Sequence, residues 1–504
     1  MVFVMLTATF SLAQSEKPFP CGTLPIKDPW LSEFQLKLPD LLEDRTDSLI
    51  YVPLSIHIVG NDDGTGYFRV SNILDAFCTL NNDYEQSNIQ FYIKDTIIYH
   101  NRSDWNDHPT VVDGAFMMFE ANVPNTLNIY FVSNPAGNCG YNLPYAGIAM
   151  NTGCSSPTDH TWAHEIGHAF SLPHPFLGWE GDVYDYSNPT PDRVTYDYTY
   201  FKDTLILDTT IIDTAWVEYV ERKNCLIAGD GFCDTPPDYL SRRWPCDQST
   251  SNSNELQKDP DGVDFRSDGT LFMSYANDAC ASRFSADQII AMHANIVEEK
   301  PYLIDGIPPA DPVSSESPVL VSPLEGGTAP TDNAVFTWEP VENANGYVFQ
   351  VSRFRDFRFI QEEVITDGPE TIISGLRDGI RYYWRVKGFN HYYTCTDYTD
   401  VNSFTASQMV NANQYSSLKV TRIFPNPAIA GTKLNIEFYN KANAGTVNVS
   451  MISSLGQTLF SKDVHCENGA NSINLSLNGV TASGWYFIKI KKDAEQSASK
   501  IFIE

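Results

Sequence analysis

HEIGHAFSLPH, residues 164–174, places three histidines and a glutamate within eleven positions. His164 and His168 are four apart, so on a helix they share one face and reach a single ion. AHEIGHAF is compatible with helix, with Thr158 or Asp159 as its N-cap. His174 comes six residues after His168, too far around for that face, and Pro173 stops the helix just before it. The chain must turn there, and the turn brings His174 back as a third ligand. Three neutral imidazoles leave the fourth tetrahedral position of zinc open for water, the mark of a catalytic rather than a structural site. Glu165 stands beside the first ligand, where it contacts that water as general base without binding the ion. The bland alternative is an amphipathic surface helix. The other seven histidines, including His57, His160 and His293, lack this spacing and read as structural.

Around the motif, from about Tyr51 to Tyr302, strand-like and helical stretches alternate. YVPLSIHIVG and LNIYFV read as strands and VSNILDAFCTLNNDYEQ as a helix, which favours an α/β or α+β domain over residues 48–302. The strand around Ala146–Met150 is a candidate edge on which an extended peptide could add. TYDYTYFKDTLILDTTIIDTAWVEYV, 195–220, reads as a hairpin insertion that either borders the cleft or decorates the surface. Residues 303–317, rich in Pro, Ser and Asp, form a linker. Beyond it the texture is all-β, over 318–407 and again over 418–504, so two β-sandwich domains follow the first.

A chain of 504 residues exceeds one core and implies several domains. Its formal charge of −30 argues against nucleic acid or an anionic membrane as partner. MVFVMLTATFSLA, residues 1–13, reads as a signal peptide lacking its positive start, or as a buried first strand, with residues 14–47 as an N-terminal pro-segment. No later run has the roughly 18 apolar residues of a membrane helix. Export would place the ten cysteines where disulfides persist. The segment 418–504 holds nine Lys/Arg against six Asp/Glu, a reversal in an acidic chain.

Three resemblances follow. The opening motif is similar to that of the metzincin metalloproteases, H-E-x-x-H-x-x-G-x-x-H with a later Met-turn, except that Ser171 stands where the motif has glycine. A serine strains that turn by about 1 kcal/mol and brings the geometry of His174 into question. GDGFCDTPPD at 229–238 and LFMSYANDAC at 271–280 resemble the two downstream motifs of the pappalysin family, over roughly residues 50–302. Trp338, the Tyr347 strand and YYWRV, with Tyr382 six residues after Leu376, resemble a fibronectin type III domain over 318–407. IFPNPA at 423–428, SSLGQTL at 453–459, SGWYFIKI at 483–490 and the terminal KIFIE resemble the C-terminal sorting domain of type IX secretion in Bacteroidetes.

The pappalysin resemblance implies further roles. Met273 is the Met-turn floor beneath the zinc, or simply core. Tyr275, which composition alone would place on the surface, stabilises the oxyanion. Asp230 and Thr235 hold a structural calcium, or else form an Asp-rich turn. Cys246 pairs with Cys280, and Cys225–Cys233 and Cys139–Cys154 are plausible local bridges. Cys21, in PFPCGT, is a latency switch on the zinc, half of a Cys21–Cys78 disulfide, or part of a simple loop. Asp278 lies at the base of the S1′ pocket, giving cleavage before Arg or Lys, or bonds the backbone of its own loop. The expectation is a secreted zinc endopeptidase acting on proteins or peptides. It is exported through its sorting domain by the secretion machinery, with zinc and calcium as cofactors. Its rivals are an adhesin with a degenerate protease domain, for which Ser171 is the clue, and a zinc hydrolase of non-peptide substrates.

Overall fold

The computed structural model describes residues 18–41, 48–180, 188–197, 212–304, 311–314, 316–408, 418–453, 457–480, 482–492 and 495–503. The expected signal peptide, residues 1–13, lies outside them, as do parts of the pro-segment, of the linker and of SSLGQTL. The chain divides into two compact units. The first takes residues up to Ser322 with 336–371 and 383–402; the second takes 323–335, 372–382 and 403–504. Residues 318–407 are thus shared between the units.

The first unit is built on a mixed sheet. Its elements are α1 (Pro29–Leu41), β1 (Ile50–Gly60), α2 (Val70–Asp83), β2 (Ile89–Ile93), β3 (Ile98–Asn101), α3 (Val111–Ala121), β4 (Leu127–Val132), β5 (Gly140–Leu143), β6 (Gly147–Asn151), α4 (Thr161–Ala169) and α5 (Ala286–Glu298). The strand order is β2-β1-β4-β6-β5, with β3 also pairing β1. All pairings are parallel except β5 with β6. β1 is central and almost wholly buried, as expected of a strand covered on both faces. α2 buries Val70, Ile73, Leu74, Phe77 and Leu80, one stripe at helical spacing. Trp162, Ile166 and Phe170 of α4 and its end pack with Phe131 and Met150 of the sheet in the same core.

The expected edge strand requires correction. Residues 147–151 pair on both sides, with β4 and with β5, so β5 is the edge. The tight turn around Ala146 reverses the chain and places Gly140–Leu143 outermost.

The same unit carries an antiparallel sheet in which Gly346–Ser352 pairs with Ile360–Thr366 and with Tyr383–Phe389. Phe336, Phe349 and Trp384 pack ring against ring there. It is joined to α2 by the disulfide Cys78–Cys395, by an ion pair of buried Lys387 with Asp75, and by Thr394 donating to the Leu74 carbonyl at 2.8 Å. The hairpin insertion has its ends in register, Arg193–Asp197 antiparallel to Ile212–Trp216.

In the second unit, Gly327–Pro330 pairs parallel with Phe404–Ser407. The Tyr382 hydroxyl accepts from the Arg377 backbone N at 3.0 Å. The C-terminal part is a β-sandwich. One sheet runs Leu418–Phe424, Lys433–Asn440, Gly469–Ser476; the other runs Thr458–Cys466, Gly445–Ser453, Gly484–Lys492, Glu495–Ile503. Leu434, Ile436 and Phe438 face Val449, Ile488 and Ile501 in its core. Among the described residues no helix is long and apolar enough to cross a membrane.

Candidate metal centre

α4 sets out two of the histidines. Its N-cap is His160, not Thr158 or Asp159, and no side chain of its own turn caps it. Asp278 instead accepts from the His160 backbone N at 3.0 Å. The expected local cap fails because Asp159 turns back to accept from Ser156 N. The helix ends at Phe170, and Ser171 takes φ +69°, the left-handed conformation that favours glycine. Its hydroxyl donates to Asp28 at 2.9 Å and accepts from Asn295 at 3.0 Å. The strain of a serine here is therefore offset by two hydrogen bonds of about 1 kcal/mol each. The turn closes, and His174 comes back to the helix.

The three Nε2 atoms lie 3.1, 3.0 and 3.2 Å apart. His164 Nδ1 faces the Phe272 carbonyl at 2.8 Å and His168 Nδ1 the Leu172 carbonyl at 2.7 Å. A carbonyl only accepts, so both Nδ1 atoms carry the proton and both Nε2 lone pairs point inward. Buried lone pairs in such proximity repel unless a cation lies between them. The spacing suits three nitrogens about 2.0–2.1 Å from one ion at near-tetrahedral angles. Burial pushes the His164 pKa down to about 4 and holds His168 and His174 well below the usual imidazole value, which favours three neutral rings. The residues fit zinc.

Cys21 completes the group. Its Sγ lies 3.5 Å from His168 Nε2, and the four ligand atoms fall within 4.8 Å of one another. Cys78 is bonded to Cys395, which excludes the Cys21–Cys78 alternative and leaves Cys21 a free, buried thiol. The segment before α1 runs along the edge strand. Cys139 N donates to the Phe19 carbonyl at 2.7 Å, Gly22 N to the Gly140 carbonyl at 2.8 Å, and the bridge at Phe19 is parallel.

Glu165 is fully buried, and burial pushes its carboxyl up to about 8. The Thr23 hydroxyl donates to its Oε2 at 3.0 Å while accepting from Asn142 N at 2.8 Å. Thr23 was not singled out from the sequence, because nothing in the spacing of CGT says which residue meets the carboxylate. A Cβ on Gly140 would come within 2.8 Å of Glu165 Cγ, and one on Gly167 within 2.4 Å of Met273 Sδ. Met273 is fully buried against α4, while Tyr275 is buried rather than on the surface, its ring 4.9 Å from that of His174. The Tyr275 hydroxyl faces the Cys21 carbonyl at 3.4 Å.

Asp278 accepts from a backbone group, as one of its two expected readings had it, but from a different segment. The backbone it bonds belongs to α4 and not to its own loop. It also lines a cavity of about 30 Å³ with Pro20, His164 and Arg243, and its carboxylate lies 3.7 Å from the Arg243 guanidinium. A larger cavity of about 590 Å³ lies between Thr23–Asp28, the loop Asn122–Asn128 and His168–His174.

Asp230 and Thr235 are together, the hydroxyl donating to Oδ1 at 2.8 Å. Gln288 also donates to that carboxylate, at 3.3 Å. The sequence offered no sign of Glu218, whose Oε1 is buried without a partner among the described residues and whose Oε2 converges with the Pro175 carbonyl on Gly229. Burial, then the Asp230 charge, pushes Glu218 up to about 9, and burial pushes Asp230 up to about 6. An orphaned carboxylate thus stands beside a second one, a pair of buried oxygen donors. The expected bridges Cys246–Cys280, Cys225–Cys233 and Cys139–Cys154 are all formed.

Comparison with curated proteins finds no match. Among solved structures, the FN1–FN3 domains of chicken CNTN1 are 14% identical, covering 37% of this chain and 66% of theirs at a TM-score of 0.15. Dimeric latent PorU from Porphyromonas gingivalis is 13% identical, over 38% of this chain and 20% of its own, with a TM-score of 0.17. An α-L-rhamnosidase from Dictyoglumus thermophilum is 12% identical, over 39% and 29%, with a TM-score of 0.16. The chain thus spans less than two thirds of the length of each. Residues 422–504 match the family described as the secretion system C-terminal sorting domain, so the chain carries a type IX sorting domain and is addressed to the cell surface or the exterior.

Proposed function

We propose that this protein is a zinc endopeptidase of metzincin type, pappalysin-like over about residues 50–302, held latent by its N-terminal segment. The observation that carries the reading is the triangle of three Nε2 atoms 3.0–3.2 Å apart with the Glu165 carboxylate beside it. His164, His168 and His174 would hold the zinc, which would supply Lewis acidity and lower the pKa of a water toward neutrality. Glu165 would take a proton from the water whose oxygen bonds to the peptide carbonyl carbon, and would give it to the leaving amine as the C–N bond breaks. Tyr275 directs its phenol to the carbonyl oxygen as negative charge develops there. The segment from Phe19 to Thr23 already lies along β5 by main-chain hydrogen bonds, which supports the same strand as the place where substrate adds. Latency then has two contacts, Cys21 at the metal position and Thr23 on the general base.

Specificity for Arg, then Lys, at P1′ rests on Asp278. Arg243 beside it shares that carboxylate, so the substrate cation competes with a resident one. Asp278→Ala should remove the basic preference from a cleavage profile while zinc content holds; a wild-type profile dominated by Leu or Phe at P1′ would end the assignment. The test of the function itself is digestion of casein, set against ester and glycan substrates, by the processed enzyme. Chelation should abolish casein cleavage and zinc restore it. Preferential turnover of an ester or glycan would favour a different hydrolase.

A further inference from the structure

The three ligands are not oriented alike. His164 and His168 each give Nδ1 to a backbone carbonyl, whereas His174 Nδ1 faces a carboxylate, Glu180 Oε1 at 3.4 Å. Glu180 is 5% exposed and His174 2%, so the pair is shielded from water. Its other oxygen accepts from the Gly178 backbone N at 2.8 Å, in the loop that immediately follows His174. That loop packs tightly. The Phe176 ring stacks on the His174 ring at 4.6 Å, and the left-handed Gly178 meets Ala215 so closely that a Cβ would come within 2.4 Å of it. The carboxylate is held by the backbone of its own loop and aimed at one ligand.

We propose that Glu180 is a positioning residue for the metal centre, a buried carboxylate that fixes the tautomer and basicity of His174. This deepens the zinc reading and rests on it. His174 comes from a turn, while the other two ligands come from a rigid helix, so it has the greater need of an external partner. A carboxylate on Nδ1–H keeps Nε2 unprotonated and pushes electron density toward it, and such outer partners typically contribute 10–100-fold in metal affinity. The added charge also opposes the positive charge of a bound cation in a site of low dielectric. Glu180 does not touch substrate or the reacting atoms, and its effect passes through His174.

The test is chelator competition for zinc on the full-length protein, with the cobalt(II) absorption spectrum as second readout. The wild type, Glu180→Gln, Glu180→Asp and His174→Ala are compared. The amide in Glu180→Gln keeps the shape and removes the charge, so zinc affinity should fall about 10–100-fold and the cobalt bands should shift. Glu180→Asp should recover part of the affinity. Thermal unfolding of the metal-free variants identifies any that do not fold, and the conservative pair keeps the comparison interpretable. Zinc affinity and cobalt bands in Glu180→Gln equal to wild type would overturn the role. Wild-type protein that binds no zinc, or binds it equally after His174→Ala, would sink the zinc reading itself, an outcome distinct from failure of Glu180 alone.

Discussion

At the scale of single residues, the four-residue step from His164 to His168 brings two nitrogens to one helix face, and the turn at Ser171 returns the third, from His174. What the spacing could not tell was which groups hold them. Thr23 and Arg243 reach their partners through the folded chain, and no local pattern marks them or Glu180 and Glu218. Ser171 shows the opposite case, since the departure from glycine is visible in the sequence but its two hydrogen bonds are not. Ser171→Ala keeps the left-handed strain and loses both bonds, so urea unfolding should show a loss of about 1–2 kcal/mol. Ser171→Gly should cost less, because relief of φ +69° offsets part of it; equal losses would refute the compensation. Glu218 gives a pH prediction. Its carboxyl is pushed to about 9 from an ordinary 4.5, so the folded state holds a proton that the unfolded chain releases. Calcium-free protein should therefore lose stability as pH rises from about 5 to 9. We propose calcium as the cation that would displace that proton, so its binding should tighten over the same range. Glu218→Gln should flatten both curves in thermal unfolding and calcorimetric titration; curves unchanged by the substitution would remove Glu218 from the cation site.

At the scale of elements, β1, α2 and β4 were legible because apolar periodicity and burial agree over several turns or alternations. The edge strand was misplaced by one hairpin, since Gly140–Leu143 is short, carries glycine and asparagine, and has little strand character of its own. Its glycine has a function in the fold. A Cβ at Gly140 would press on Glu165 Cγ, so the carboxylate would have to shift from its place beside the histidines. Gly140→Ala should thus lower peptide hydrolysis at least 10-fold while zinc content stays at wild type, as judged by kcat/KM and metal analysis. Activity unchanged in that variant would mean that the edge strand yields and the contact is unimportant.

At the scale of the molecule, the sequence divides cleanly by texture, yet the compact units do not follow that division through 318–407. The reason lies in contacts that composition cannot reveal. Cys78–Cys395 spans 317 residues and, with Lys387 and Thr394, ties one antiparallel sheet to α2. A bridge closing so long a loop commonly contributes about 2–4 kcal/mol. Cys78→Ala with Cys395→Ala should lower the midpoint of unfolding accordingly, and an unchanged midpoint would show the contact surface to be sufficient without it. The sorting domain was legible because its motifs are local and ordered along the chain, and removal of 418–504 should leave the protein inside the cell envelope. The proposed activity depends on the candidate metal centre. Its most direct test measures zinc per chain and casein hydrolysis together in processed wild type and in Glu165→Ala. We predict one zinc per chain in both, and hydrolysis at least 100-fold slower in the variant. A wild type without zinc, or a Glu165→Ala enzyme as fast as wild type, would contradict it.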